Sequence, residues 1–331
     1  MRDVKTSFWL TRRGMLAGAI GSLVTKSAIG EAVAEPSPPA NITPTVLTER
    51  LLHCTALLES LNKRGTSSVG TGFFFNLFLH QDTSVLVLVT NRHVLEDSAS
   101  VFTTLTYAKP DGSPNFGKTK RIQLTQWLFH PDPAVDLAIL PLAPALNPLL
   151  SAGEKFVFAP TDQSLIPTDS QLRELTPLED VLIIGYPDGI SDTVNNVPVL
   201  RKGITATPAY LNFRGEPKFL LDAAIFPGSS GSPVFLFNQG SWPSRAGGLS
   251  IGTRINLLGV VFAVAQHQSD GQIVIRPAPT QANQMVQTLI PNNIGLCIRA
   301  EKVLDFEPVL VKLGVMKSPD GYIMRSEYNP P

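Results

Sequence analysis

Between residues 46 and 275 the chain is built of short runs rich in β-branched and aromatic residues, each closed off by Gly, Pro, Asn or Asp. Runs of that length and composition pair as strands and are too short for core helices. They fall at 70–75 leading into 77–79, then at 84–90, 101–107, 122–129 and 137–140. A proline-rich stretch at 141–177 intervenes, and the pattern resumes at 181–184, 199–205, 219–225, 234–237, 257–264 and 272–275. Helical patterns are confined to the ends: 47–58 reads either way, and 300–307 opens a C-terminal helix reaching Lys312. Two strand-rich blocks joined by a connector predict an all-β protein of two packed antiparallel six-stranded barrels with a short C-terminal helix. A single large sandwich is the alternative.

The first 34 residues stand apart. A charged segment carrying Arg12-Arg13 precedes a short apolar run, and Ala32-Val33-Ala34 fits a small-x-small cleavage site. This pattern predicts an export signal of twin-arginine type, and so a periplasmic or secreted protein. Ten apolar residues cannot span a bilayer, so no membrane anchor is expected once the signal is removed. Residues 35–45, rich in proline, form a linker, and the folded domain is expected over 46–312, with barrels at about 46–150 and 176–300 and a tail at 313–331.

The full chain has 27 basic and 27 acidic residues; losing five and two with the signal leaves 22 against 25, mildly acidic. No concentrated basic face appears, which excludes nucleic-acid binding as the main role. With 43% hydrophobic and 16% charged residues, the chain has enough apolar material for a sizeable core. Cys54 and Cys297 leave two alternatives open after export: a disulfide closing a long loop, or two free buried thiols. No Cys-x-x-Cys occurs and the five histidines are scattered, so no metal site and no cofactor is expected.

Three segments carry chemistry: Thr90-Asn91-Arg92-His93-Val94, Asp132-Pro133-Ala134-Val135-Asp136-Leu137, and Phe226-Pro227-Gly228-Ser229-Ser230-Gly231-Ser232-Pro233. A serine hydroxyl barely ionises and needs a base, a role that imidazole fills near neutral pH. The base needs an acceptor that fixes its tautomer, and glycines around the serine let peptide N–H groups approach a reacting carbonyl. His93, Asp136 and Ser230 supply those parts in that order, each beside an apolar run; Asp132 is the nearest rival acid. Two other patterns are coincidental. Gly70-Thr71-Gly72 lacks the third glycine of a dinucleotide loop, and Ser60-x-x-Lys63 has no Lys-Thr-Gly after it. His53, His80, His130 and His267 read as surface or structural residues.

With Ser68-Val69-Gly70-Thr71-Gly72-Phe73-Phe74 before the histidine strand and Gly185-Tyr186-Pro187-Asp188-Gly189 in the second half, the chain resembles the chymotrypsin-like serine proteases. It is most similar to bacterial peptidase domains of the HtrA and glutamyl-endopeptidase type. The resemblance implies His93 as general base, Asp136 as its orienting acid and Ser230 as nucleophile, with the N–H groups of Gly228 and Ser230 as oxyanion hole. It also places Ala224, Phe262, Ala263 and Val264 around the specificity pocket, implying small or medium aliphatic side chains on the acyl side of the cut. Two departures stand out. Ser229 replaces the Asp or Asn usual before the nucleophile, which argues against activation by a freed N-terminus. Phe262 stands where relatives often carry a hydroxyl supporting the acid. No room is left for a PDZ domain, so a monomer acting on proteins or peptides is expected. A silent peptide-binding barrel and an esterase are the alternatives.

Overall fold

The computed structural model describes residues 47–80, 83–272, 285–313, 316–318 and 321–323. The export signal, the linker, most of the 272–275 run and most of the tail lie outside these. The first half contains helix α1 (Leu47–Leu51) and strands β1 (Thr55–Asn62), β2 (Ser67–His80) and β3 (Thr83–Thr90). Helix α2 (Arg92–Leu95) leads to β4 (Ser98–Ala108), β5 (Pro114–Leu124), β6 (Leu128–Phe129) and β7 (Ala138–Pro141). The connector holds α3 (Ala143–Ser151), β8 (Phe156–Val157), β9 (Thr161–Asp162) and α4 (Asp169–Arg173). The second half runs through β10 (Asp180–Gly185), β11 (Val199–Thr205), β12 (Lys218–Asp222), β13 (Pro233–Pro243), β14 (Leu249–Gln272) and β15 (Met285–Arg299). A 3-10 turn, Ala300–Asp305, leads into α5 (Phe306–Lys312).

The second half pairs in the order β10-β11-β12-β15-β14-β13 and closes on itself. The first half is a nine-stranded sheet whose main path, β5-β4-β1-β2-β3-β7-β6, stays open between its ends; β8 joins β4, and β9 joins β2 in parallel. It therefore differs from the closed six-stranded barrel expected there. Several boundaries also moved for physical reasons. The 122–129 run is broken, because β5 begins at Pro114 and carries Lys118, Lys120 and Arg121 along an edge, where charge guards an unpaired strand. The proline-rich connector is not devoid of helix. Pro144 falls in the first turn of α3, where it forfeits no hydrogen bond. Thr168 and Gln171 form a reciprocal capping box at the start of α4.

Three apolar clusters hold this arrangement. One fills the first half around Leu58, Phe74, Leu88 and Phe156, and another fills the second around Phe219, Leu221, Val234 and Val261. The largest lies between the halves: Phe73 and Phe75 meet Leu182, Ile184, Phe235 and Leu257, and the C-terminal Val303, Phe306 and Leu310 close it. Each such side chain, fully buried, contributes about 1.5–3 kcal/mol, so the seam between the halves is a packed core that keeps their facing loops in register. Cys54 lies in the seam and Cys297 in the second-half cluster, both as free buried thiols. Of the two alternatives, the structure shows free thiols. Among the described residues no helix is long and apolar enough to cross a membrane.

His53, beside the seam, is almost fully buried, and burial lowers its pKa from 6.5 to about 4. The unfolded chain takes up a proton near pH 6.5 that the folded chain refuses until near pH 4. This contribution to stability is therefore whole above pH 6.5 and is lost as pH falls toward 4. The loss amounts to about 3 kcal/mol. Denaturant titrations at pH 7 and pH 4.5 should show a smaller acid loss for His53→Leu than for the parent; equal losses would refute the assignment.

Candidate active site

Three local structures deliver the side chains. Asn91, extended at φ −86° and ψ 151°, precedes α2, and His93 follows in its single turn. Buried Val94 and Leu95 anchor that turn. A Cβ on Gly70 would stand 2.6 Å from Val94 Cγ1, so glycine at 70 makes room for α2 against β2. Asp136 sits in the loop between β6 and β7, between buried Val135 and Leu137. Ser230 rides on a turn in which Gly228 and Gly231 take φ of +85° and +88°, left-handed backbone that glycine adopts without cost.

The three side chains meet. His93 Nδ1 lies 2.6 Å from Asp136 Oδ2, and His93 Nε2 lies 3.0 Å from Ser230 Oγ. The His93 amide also donates to Asp136 Oδ1, at 3.0 Å. A carboxylate accepts only, so the ring proton belongs on Nδ1 and the Nε2 lone pair faces the hydroxyl. The rival Asp132 has no hydrogen bond to His93 among the described residues, and its Oδ1 accepts from the Ala134 amide at 2.9 Å.

Backbone hydrogen bonds orient the serine turn. Gly231 donates to Val261 O and Val261 to Ser232 O, each at 2.9 Å, which fastens the turn to β14. Ser230 O accepts from the Thr71 amide at 2.8 Å, and Gly228 O accepts from Thr71 Oγ1 at 2.8 Å. Pro227 O accepts from the Asp188 amide at 2.5 Å, while the Ser229 amide turns inward to Phe226 O at 3.0 Å. In a trans peptide the C=O and N–H point in opposite directions. With Pro227 O held by Asp188, the Gly228 N–H points away from Asp188. Among the described residues no protein acceptor takes the amides of Gly228 or Ser230. Two free donors thus lie on either side of Ser229, beside the hydroxyl, an arrangement suited to a developing oxyanion.

The pocket positions are half-buried: Ala224 beyond β12, and Phe262, Ala263 and Val264 along β14. Phe262 packs against the seam cluster, with Lys218 Nζ 5.1 Å from its ring. Among the described residues no side-chain hydroxyl reaches the Asp136 carboxylate, so its partners are the two groups of His93. Beside Val264, Gly295 makes room for buried Ile225: a Cβ on Gly295, which pairs with Val264, would lie 2.8 Å from Ile225 Cγ1.

Several contributors escaped the sequence reading. Asn91 Nδ2 donates to Asp136 O at 2.8 Å, tying the histidine turn to the acid loop. Thr71 holds both ends of the serine turn, and Thr90 Oγ1 donates to Thr71 O at 2.7 Å. Asn91, Thr71 and Thr90 all lie inside the motifs quoted above. Polar residues among glycines and apolar runs, with no solvent-facing role, were the available signal.

A family model for the trypsin-like peptidase domain matches residues 70–242, just over half of the 331-residue chain. Similar solved structures include the HtrA-type protease AlgW with tripeptide, at 19% identity and TM-score 0.44 over 81% of this chain and 63% of that one. The active form of the Rv3671c protease from M. tuberculosis is 18% identical, with TM-score 0.40 over 90% of this chain and 100% of that one. The apo MamO protease domain from Magnetospirillum magneticum is 14% identical, with TM-score 0.40 over 78% and 97%. The chain thus spans less than two thirds of the length of AlgW. Comparison with curated proteins gives no match.

Proposed function

The chain belongs to the trypsin-like peptidase family, a family of serine endopeptidases, and we propose that it cleaves peptide bonds through an acyl-enzyme with His93, Asp136 and Ser230. Ser230 Oγ attacks the scissile carbonyl as its proton passes to His93 Nε2. Asp136 stabilises the imidazolium through Nδ1–H, and the N–H groups of Gly228 and Ser230 take the oxyanion. The imidazolium then protonates the leaving amine, and water repeats the sequence on the acyl-enzyme. One observation carries this reading: the unbroken hydrogen-bonded line from Asp136 Oδ2 through His93 to Ser230 Oγ, with contacts of 2.6 and 3.0 Å. No cofactor takes part in these steps.

The enzyme acts as an exported monomer on proteins or peptides, with 1–34 as the signal, 35–45 as linker and 46–312 as the catalytic domain, built of one open sheet and one closed barrel. A fluorophosphonate probe applied to the periplasmic and secreted fractions tests both parts. Labelling at Ser230, absent in His93→Ala, on a chain beginning near Glu35, is the expected result. An unlabelled but folded chain would leave a silent peptide-binding barrel, and labelling confined to the cytoplasm would refute export.

For the acyl-side pocket, the half-buried Ala224, Phe262, Ala263 and Val264 carry no charge and Val264 narrows the space, which supports small or medium aliphatic side chains. Val264→Ala should shift kcat/KM toward leucine over alanine at that position by roughly tenfold, as a few methylenes of pocket space allow. A profile on a mixed peptide library that is unchanged by the substitution would sink the assignment.

A further inference from the structure

His130 has no place in the chemistry above, yet it is among the most enclosed polar groups in the molecule, its side chain 1% exposed. It stands at the start of the loop that carries Asp136. The His130 amide donates to Leu137 O at 3.0 Å, which closes the loop at its base. Inside, Ala134 N bonds Asp132 Oδ1 at 2.9 Å, Val135 N bonds Asp132 O at 3.1 Å, and Leu137 N bonds Val135 O at 2.8 Å. The imidazole sits against this turn, with Nδ1 3.1 Å from both the N and the O of Asp132.

An amide nitrogen can only donate, so Nδ1 accepts from the Asp132 amide and the neutral ring carries its proton on Nε2. That proton faces the C-terminal 3-10 turn: Lys302 O lies at 3.2 Å and Asp305 Oδ2 at 3.3 Å. Lys302 Nζ also reaches Asp305 Oδ2, at 3.0 Å. The ring stands edge-on to Phe306 at 5.3 Å, and Phe306 packs in the seam cluster with Val135 and Leu137. One ring therefore bridges two elements 172 residues apart.

We propose that His130 is a positioning residue that holds the Asp136 turn against the C-terminal segment, its Nδ1 setting the orientation of the acid and its Nε2 serving the seam alone. The two nitrogens then do separable work. In His130→Asn, Oδ1 replaces Nδ1 as acceptor for the Asp132 amide, and the reach to Lys302 is lost. In His130→Gln, the side-chain amide replaces Nε2 and the acceptor for Asp132 is lost. A histidine that merely fills the core would show no such division.

This inference rests on the proposed triad for its kinetic readout, so a second readout is paired with it. With peptide substrate, and rates referred to the fluorophosphonate-titrated fraction, His130→Gln should lower kcat about 10- to 100-fold with KM unchanged, the usual effect of a misplaced catalytic group. His130→Asn should keep kcat within threefold while its melting midpoint falls by several degrees. The downfield proton resonance of the His93–Asp136 hydrogen bond should persist in the Asn variant and broaden or vanish in the Gln variant. That signal needs no turnover, so it decides the matter even if the parent enzyme proves silent. Equal kcat losses in both variants, or an unchanged His93 resonance in His130→Gln, would overturn the proposal.

Discussion

Ser230→Ala and His93→Ala should each lower kcat for a peptide substrate by about 10⁶-fold, and the double variant should be no slower than either. In the proposed mechanism the hydroxyl and the imidazole act in a single step: without Nε2, Ser230 Oγ at 3.0 Å has no acceptor for its proton. Without the hydroxyl, the base has nothing to activate. Independent contributions would multiply, and the double variant would lose far more. The Gly228 and Ser230 amides survive in all three proteins, so about 10³- to 10⁴-fold acceleration over water should remain from the oxyanion site and binding. Asp136→Asn should fall less far, by about 10⁴-fold, because the amide favours the wrong imidazole tautomer while leaving the geometry in place. Steady-state kinetics on one fluorogenic peptide check all four variants. If the single losses multiplied in the double variant, the residues would not share a step.

The site was legible in the sequence where its logic is local. A histidine after a β-rich run, an aspartate before one and a serine between glycines each announce themselves within ten residues, and their order supplied the rest. Specificity of geometry was not legible, because it depends on polar side chains whose partners are remote. Asn91 reaches Asp136 across 45 residues, and Thr71 reaches Gly228 across 157. His130 looked like one of several stray histidines because its partners lie at the far end of the domain. The fold shows the same division. Apolar runs located most strands, whereas β5 was truncated because its edge position favours lysine over valine. β1 was ambiguous because α1 runs into it within a few residues. Closure of a barrel is a matter of which edges meet, and no run of residues encodes it by itself. The Phe262 departure changes in meaning once its surroundings are known. A ring packed into the seam contributes apolar contact there, and Asp136 relies on the two donors of His93 instead of a third hydroxyl.

Gly231→Ala should lower the melting midpoint by about 10 °C and slow fluorophosphonate labelling at least 100-fold, although it adds only a methyl group next to the nucleophile. At φ +88° an alanine carries a backbone penalty of about 1–2 kcal/mol. The larger cost is steric: the new Cβ would lie 2.0 Å from Thr71 O and 2.5 Å from Thr90 Oγ1. Those atoms are hydrogen-bonded to each other at 2.7 Å, so the methyl group must separate them or push β2 away. β2 cannot move alone, since Thr71 N holds Ser230 O and Thr71 Oγ1 holds Gly228 O while accepting from the Tyr186 amide at 3.1 Å. Displacing Thr71 therefore releases both peptides that flank the oxyanion donors, and stability and acylation should fall together. Ser232→Ala is the matched control on the other side of the same residue. Its hydroxyl is buried without a hydrogen-bond partner among the described residues, so removing it relieves an unmet desolvation cost of about 1 kcal/mol. The control should melt no lower than the parent and label at a similar rate. A Gly231→Ala protein that melts within 2 °C of the parent and labels within threefold, with 2 °C and threefold taken as about the scatter of such assays, would mean that Thr71 does not hold the site.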